Sequence, residues 1–193
     1  MAYLIAVVIV LLIGYFGWTM TSRNAYESAE YNVLESEGPY EIRDYPDLML
    51  VTTPMDFHSQ GNDGSFGRLF RYISGGNQSD SKVSMTTPVF MESEVEGKDG
   101  QMGFVIPKKV AADSVPEPSQ ESVRIRKRTG GQFAVLRFSG RLNDKTKTAE
   151  ETKLRLWMEA KGLTGDASIE WAGYDPPWTP GPLRRNEILI RLE

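Results

Sequence analysis

The amino-acid sequence predicts an α+β fold, a distorted antiparallel β-barrel built from two pseudo-symmetric halves with a helix against each half. The strand-like and helix-like runs follow the same order in both halves, namely ββ, α, ββ. One run in each half has the 3.6-residue periodicity of a helix, and others alternate polar and apolar residues as strands do. The folded domain therefore has about eight strands and two helices.

An uncharged run from Ala2 to Met20 precedes this domain. As a helix it would nearly match a hydrocarbon core of about 30 Å, so residues 1–21 are predicted to form a single-pass transmembrane anchor. A cleaved signal peptide is the alternative, but no basic residue precedes the run and no clear cleavage site follows it. One nearby charge, Arg23, leaves the orientation open. Residues 22–30 are predicted as a polar tether, and the domain as residues 31–193.

The first half contains an amphipathic helix. Phe66, Leu69, Phe70 and Ile73 follow the spacing i, i+3, i+4, i+7, with Asp63 as a cap and two glycines after the stripe. The strands of this half are predicted within 31–46, 48–55, 82–93 and 101–109. In the first of them, alternation places Tyr40, Ile42 and Asp44 together, and this face is predicted to be the apolar one.

The second half repeats this order with strands within 122–128, 133–142, 169–178 and 186–193 and a helix within 147–163. In that helix the predicted buried stripe is Ala149, Leu156, Ala160 and Leu163, which leaves Leu154 and Met158 on the other side. Gly130-Gly131 predicts a hairpin turn. Residues 110–122, rich in Ser, Pro and Glu, are predicted as an exposed linker between the halves.

Composition excludes several functional classes. A net charge of -4 is not the basic footprint of a nucleic-acid-binding domain. The absence of cysteine excludes disulfides, thiolate nucleophiles and Cys-ligated metals. His58 is the only histidine and lies in a loop-like run, so an exposed position is predicted, with a role as a haem axial ligand or as a general base as the minor alternative. The sequence contains no P-loop, dinucleotide fingerprint or nucleophile elbow, and no enzymatic activity is predicted.

The C-terminal segment "AGYDPPWTPGPLRRNEILIRLE" is the most distinctive. Its four prolines cannot donate ladder hydrogen bonds, so they predict a stiff loop between the last two strands. Tyr174 and Trp178 supply rigid apolar area beside Arg184 and Arg185, a combination that suits a flat hydrophobic ligand with carboxylates. Packing of the tryptophan on the prolines, with solvated arginines, is the alternative.

The segments "YEIRDY", "FGRLFRYISGGN", "KVSMTTPV", "FVIPKK" and "GYDPPWTPGPLRRNEI", in this order, resemble the SOUL haem-binding protein family over residues 31–193. This resemblance implies the barrel of two ββαββ-like halves and the reversible, non-covalent binding of haem or other tetrapyrroles. It places the site between the first helix and the loop before the last strand. The candidate haem-binding residues are Phe66, Leu69, Phe70, Ile73, Met85, Tyr174, Trp178, Arg184 and Arg185.

Some family members carry a histidine, proposed as the iron ligand, after the "YEIR"-like stretch, where this chain has Asp44. Haem proteins normally use His, Cys, Met or Tyr as axial ligands, so that role does not transfer. Asp44 is instead predicted to end its strand. Haem is predicted to be held by apolar contact and propionate pairing, with a weak ligand at most from Met85, Tyr174 or His58. Such a site tolerates metal-free porphyrins.

The predicted function is therefore a carrier or buffer of tetrapyrroles, tethered to a lipid bilayer by its N-terminal helix. The alternative is an interaction scaffold whose groove receives an apolar protein segment. Leu154 and Met158, predicted on the exposed side of the second helix, are the observation in favour of that alternative.

Overall fold

The structure is a computed structural model that describes residues 14, 26–56, 63–93 and 100–193. Three helices are described in full: α1 (Ser65–Ile73), α2 (Lys108–Asp113) and α3 (Asp144–Ala160). A short 3-10 helix spans Gly181–Leu183. The positions of α1 and α3 match the two predicted helices, whereas α2 overlaps the start of the predicted linker.

The strands within the described ranges are β1 (Glu27–Ser28), β2 (Asn32–Glu37), β3 (Tyr40–Tyr45), β4 (Leu48–Pro54), β5 (Thr86–Thr87), β6 (Val89–Glu92), β7 (Gln101–Val105), β8 (Arg124–Arg128), β9 (Gly131–Phe138), β10 (Glu170–Gly173) and β11 (Asn186–Arg191). Nine of them form one antiparallel sheet in the order β2-β3-β9-β11-β10-β6-β7-β4-β8, which curls into a half-barrel. β1 and β5 pair in parallel beside it. The predicted α+β class is confirmed, with a half-barrel of nine strands in place of a barrel of about eight.

The internal repeat is visible in the pairing. β4 pairs with β7, which pairs with β6, and in the same way β9 pairs with β11, which pairs with β10. The two units join through β6 and β10. One further strand of each half pairs with the other half. β3 of the first half pairs with β9, and β8 of the second half pairs with β4.

This exchange corrects the predicted hairpin at Gly130-Gly131, since β8 and β9 do not pair with each other. The connection between β3 and β4 contacts the connection between β8 and β9. The Gly130 N–H donates to Asp47 Oδ1 at 2.8 Å. A Cβ at Gly130 would lie 2.3 Å from the carbonyl oxygen of Tyr45, so this glycine is required by close backbone approach. The Gly130-Gly131 pair therefore does indicate a special backbone position, but this position is a close contact between two connections and not a hairpin turn.

Three apolar clusters form the core. One, which includes Leu50, Phe133 and Leu189, joins strands from both repeat units and fills the inside of the curve. The second lies between α1 and the outer face of β4 and β7. The third lies between α3 and the outer face of β9, β10 and β11. The curved sheet thus has a packed interior and one helix on each outer flank.

The predicted stripe on α3 is wrong. Leu154 and Met158 are buried, whereas Leu156 is exposed together with Ala149 and Ala160. Both sets have the same helical spacing, so periodicity alone does not choose between them. Leu163 of the predicted stripe does pack, partly buried, against the same cluster, so the two faces differ little in apolar area and packing against β9, β10 and β11 decides between them.

The predicted inward face of β3 is also reversed. Arg43 and Tyr45 are almost fully buried on the inner side, while Tyr40 and Asp44 are half-buried on the other. The Tyr40 ring stacks on Trp157 of α3, with ring centroids 5.1 Å apart. β3 continues one residue beyond Asp44. The reversal arises because the inner face holds an ion pair, described below, rather than apolar residues alone.

Both segments predicted as exposed connections are attached to the domain. Residues 26–30, predicted as tether, include β1, and the Ala29 N–H donates to the Thr87 carbonyl at 2.7 Å. Within 110–122, Pro116 accepts a hydrogen bond of 2.6 Å from the Tyr72 hydroxyl of α1. The folded domain therefore includes Tyr26 and the connection between the halves.

The predicted anchor, residues 1–21, lies outside the described residues apart from Gly14. Across the ranges that the structure does describe, no helix combines the length and the hydropathy needed to span a bilayer.

Candidate functional site

An apolar cavity of about 300 Å³ lies between α1, the segment around β5 and β6, and the loop that joins β10 to β11. Its lining includes five residues that the sequence predicts for the site: Phe66, Phe70, Met85, Tyr174 and Trp178. Tyr26, Thr87 and Val89 also line it and were not predicted. The volume is at the lower end for small-molecule sites, so a macrocycle would be only partly enclosed.

The predicted stripe of α1 divides between two environments. Leu69 and Ile73 are buried in the cluster beneath the helix and do not line the cavity. Phe66 and Phe70 stack on each other, with centroids 6.1 Å apart, and form one wall of the cavity. The inner residues therefore hold the helix, while the two phenylalanine rings line the cavity.

Polar contacts fix the start of α1 against β4. The N-cap residue is Gly64 and not the predicted Asp63, which lies one position earlier; Asp63 Oδ1 accepts hydrogen bonds from the Ser65 N–H at 3.1 Å and from the Ser65 hydroxyl at 2.7 Å. Arg68 Nε donates to Thr53 Oγ1 at 2.9 Å. These contacts set the position of the phenylalanine wall relative to the sheet.

The opposite wall is the proline-rich loop, and Arg184 holds it in shape. Arg184 Nε donates to the Thr179 carbonyl at 2.8 Å, and Nη2 donates to the Pro177 carbonyl. These two carbonyls flank Trp178, whose side chain is 71% exposed. Arg184, which the sequence predicts as a partner of the ligand carboxylates, thus donates two hydrogen bonds to the loop that carries Trp178.

Arg185 belongs to a buried ionic cluster centred on Glu187, which the sequence analysis missed. Arg43 contacts the two Glu187 oxygens from Nη1 and Nη2 at 2.7 and 3.0 Å. Arg185 Nη2 donates to Glu187 Oε1 at 2.6 Å, and the Tyr174 hydroxyl donates to Oε2 at 3.0 Å. A charged residue in the alternating strand "NEILIR" was the available signal, because a charge on an inward-facing position requires a partner.

The cluster fixes the protonation of its members. Burial would raise the pKa of Glu187, but the hydrogen bond and charge of Arg43, and then Arg185, hold that pKa below its ordinary value. Burial, and then the Glu187 charge, raise the pKa of Tyr174 well above 10.0. Tyr174 is therefore a neutral phenol bonded to Glu187. Coordination of iron by a tyrosinate at this position is disfavoured.

Among the predicted iron ligands, Met85 is the one that lines the cavity with an uncommitted donor atom, a thioether sulfur. Tyr26 adds a phenol at the opening. His58 lies within residues 57–62, outside the described residues. In the described part of the chain no group of His, Cys, Asp and Glu has the geometry of a metal site.

A larger cavity of about 870 Å³ lies at the end of the sheet beside β8. Charged residues dominate its lining, among them Arg126, Arg128 and Glu170. Arg128 donates to Glu170 Oε2 from Nε at 2.9 Å and from Nη2 at 2.6 Å. An apolar macrocycle placed there would desolvate these charges without compensation. The smaller cavity is the better match for a hydrophobic ligand, because aromatic and apolar side chains form its walls.

The sequence profile described as "SOUL heme-binding protein" matches residues 26–191. The chain belongs to the SOUL family. The matched range begins at Tyr26, in agreement with the structural start of the domain. In this SOUL chain the family motifs around Phe66, Met85 and Trp178 meet at the apolar cavity.

Individual relatives agree with the family assignment. The chain is 28% identical to heme-binding protein 1 of Mus musculus over 180 residues, which cover 90% of each chain. It is 29% identical to heme-binding protein 2 of Homo sapiens over 168 residues, or 79% of this chain and 80% of that protein. Among solved structures, the EcmrR chain of a DNA complex superposes with a TM-score of 0.60 at 13% identity, over 80% of this chain and 57% of that one. At this identity the likeness concerns the fold alone.

Proposed function

We propose that this SOUL protein binds haem or related tetrapyrroles non-covalently and reversibly at the apolar cavity, and that it serves as a membrane-tethered carrier or buffer. The observation that carries the proposal is the convergence of α1, the "MTTPV" segment and the proline loop on one aromatic-walled cleft. The relatives named as heme-binding proteins support the choice of ligand. The uncharged run Ala2–Met20 supports the tether.

The cleft suits holding a flat macrocycle more than transforming one. The Phe66, Phe70 and Trp178 rings offer broad apolar faces. The polar groups of Tyr174 and Asp175 are bonded within the protein, to Glu187 and to the Arg185 N–H respectively. Binding then depends on apolar contact, together with weak coordination of the haem iron by the Met85 sulfur or the Tyr26 hydroxyl. A ligand held in this way is released readily, as a carrier or buffer requires.

The alternative of an interaction scaffold loses its supporting observation. Leu154 and Met158, which were predicted to be exposed on the second helix, are buried against the sheet.

The first prediction is that haemin and metal-free protoporphyrin bind to a chain of residues 22–193 with affinities within about tenfold of each other. The reason is that the described residues of the cavity lining include no histidine, and the Tyr174 hydroxyl is bonded to Glu187. Fluorescence quenching and Soret titrations measure both constants. Met85→Leu, which keeps the volume and removes the sulfur, is expected to change haemin affinity by less than about threefold.

Three outcomes would contradict this prediction. A preference of about a hundredfold for haemin, about 2.7 kcal/mol, would demonstrate a real axial ligand. Loss of the Soret band in His58→Ala would identify His58 as that ligand, and a corresponding loss in Met85→Leu would identify Met85.

The second prediction concerns Arg184. We propose that it supports the ligand through the loop, because Nε and Nη2 hold the carbonyls on either side of Trp178. Arg184→Ala is then expected to weaken binding of free-acid protoporphyrin and of its dimethyl ester by the same factor, about tenfold. Parallel titrations of the two porphyrins measure this. An effect confined to the free acid would instead establish Arg184 as a partner of the propionates. Arg124→Ala serves as the control, because Arg124 is exposed on β8 and is not among the residues that line the cavity.

A further inference from the structure

We propose that the mouth of the apolar cavity docks on the lipid bilayer, so that the ligand enters from the membrane rather than from water. This inference rests on the proposed function, since it assumes both the tether and an apolar ligand. The docking surface consists of Tyr26, Phe70 and Trp178, which line the cavity and are also among the exposed large hydrophobic residues.

The exposure of these side chains is the first observation. Trp178 is 71%, Phe70 52% and Tyr26 36% exposed. They come from the loop before β11, from α1 and from the segment before β1, which are far apart in sequence, yet all three reach the rim of one cavity. Contiguous apolar surface of this kind marks a site for another molecule or a membrane. Trp and Tyr are also the side chains that settle at the membrane–water interface.

Chain length supplies the reason to choose the bilayer as the partner. The uncharged run ends at Met20, and Tyr26 follows only six residues later. Six extended residues span at most about 20 Å. A domain of this size is roughly 40 Å across, so a tether this short keeps the cavity mouth on the half of the domain that is nearer the membrane.

Pairing of β1 with β5 holds the start of the domain beside the cavity. Glu27 and Ser28 lie in register with Thr86 and Thr87, so the residues that follow Tyr26 are fixed to the strand beside the cavity. The Ala29 N–H adds a hydrogen bond of 2.7 Å to the Thr87 carbonyl. The described start of the domain is therefore fixed beside the cavity mouth, and only six residues of sequence separate Tyr26 from the end of the uncharged run.

The consequence is a route for the ligand. Tetrapyrroles are amphiphiles that partition into bilayers, and a mouth seated at the interface would exchange them with lipid without exposing the macrocycle to water. The exposed aromatic rings would then contact lipid when the cleft is empty and the ligand when it is full.

The test uses the full chain in phosphatidylcholine vesicles. The chain has no cysteine, so Trp178→Cys, Phe70→Cys and Leu156→Cys each give a single labelling site for an environment-sensitive fluorophore. Leu156 is the matched control, because it is 59% exposed but lies on α3, away from the cavity. Nitroxide-labelled phosphatidylcholine is expected to quench the labels at positions 178 and 70 several-fold more strongly than the label at position 156.

Equal quenching at the three positions would overturn the proposal, and so would failure of the full chain to float with the vesicles. Quenching at position 156 alone would place the opposite face on the membrane and overturn it too. The measurement needs no porphyrin, so a chain that docks as expected but fails to bind haemin would refute the proposed function while leaving the docking surface in place.

Discussion

Glu187→Ala is expected to lower the free energy of unfolding by about 3–5 kcal/mol, the largest effect of any substitution considered, because it leaves buried guanidinium groups without their shared carboxylate. Arg43 is fully buried, and Arg185 is mostly so. For a domain of this size the midpoint of thermal unfolding should fall by roughly 10 °C or more. Circular dichroism melts and urea titrations measure both quantities.

Arg137→Ala is the matched control. Arg137 also approaches Glu187, with Nε 3.6 Å from Oε1, but its side chain is 46% exposed. Ion pairs of this kind contribute less than about 1 kcal/mol, so this variant should unfold almost as the parent does. If the two variants lost equal free energy of unfolding, burial of the Arg43–Glu187 pair would not be the source of the stabilisation.

The same cluster predicts the pH dependence of stability. The pKa of Glu187 is lower in the folded chain than its ordinary value of 4.5. Its ionised form therefore stabilises the fold at pH values above 4.5, and this contribution is lost as the pH falls through the folded-state pKa. Glu187→Gln should be less stable at neutral pH and should lose less stability on acidification than the parent does.

Phe70→Ala combined with Trp178→Ala is expected to weaken porphyrin binding by about a hundredfold, or about 2.7 kcal/mol. The two rings belong to opposite walls of the cavity, and contact of a large side chain with a ligand contributes about 1.5–3 kcal/mol when fully buried. Because a partly exposed ligand realises less than this, each single substitution should account for about tenfold. Fluorescence titration with protoporphyrin measures the loss.

Two controls make that result specific. Leu156→Ala removes an exposed hydrophobic residue that does not line the cavity, so it should bind porphyrin as the parent does. Far-ultraviolet circular dichroism of the double variant should remain native, because both altered side chains are largely exposed. An unchanged affinity in the double variant would move the ligand to another surface, with the charged cavity beside β8 as the next to test.

Residues that the sequence predicts for the site meet at one cavity where a motif and a local pattern agree. The spacing from Phe66 to Ile73 predicted α1, and its aromatic members do line the cavity with Met85, Tyr174 and Trp178. Other members of the same patterns lie outside the cavity lining. Leu69 and Ile73 share the stripe but face the sheet, and Arg184 and Arg185 share a dipeptide but donate within the protein.

The sequence by itself determined the fold class, the duplicated order of strands and helices, and the chemistry of the two walls of the cleft. These features depend on local information: residue periodicity, capping residues and the inability of proline to pair. Tertiary structure alone decided that β3 and β8 exchange partners, that Arg43 rather than Asp44 faces inward, and that Leu154 rather than Leu156 is buried. A period of two or of 3.6 states which residues share a face, but it does not state which face turns inward. That choice follows from partners far away in the chain, such as Glu187 for Arg43, 144 residues apart.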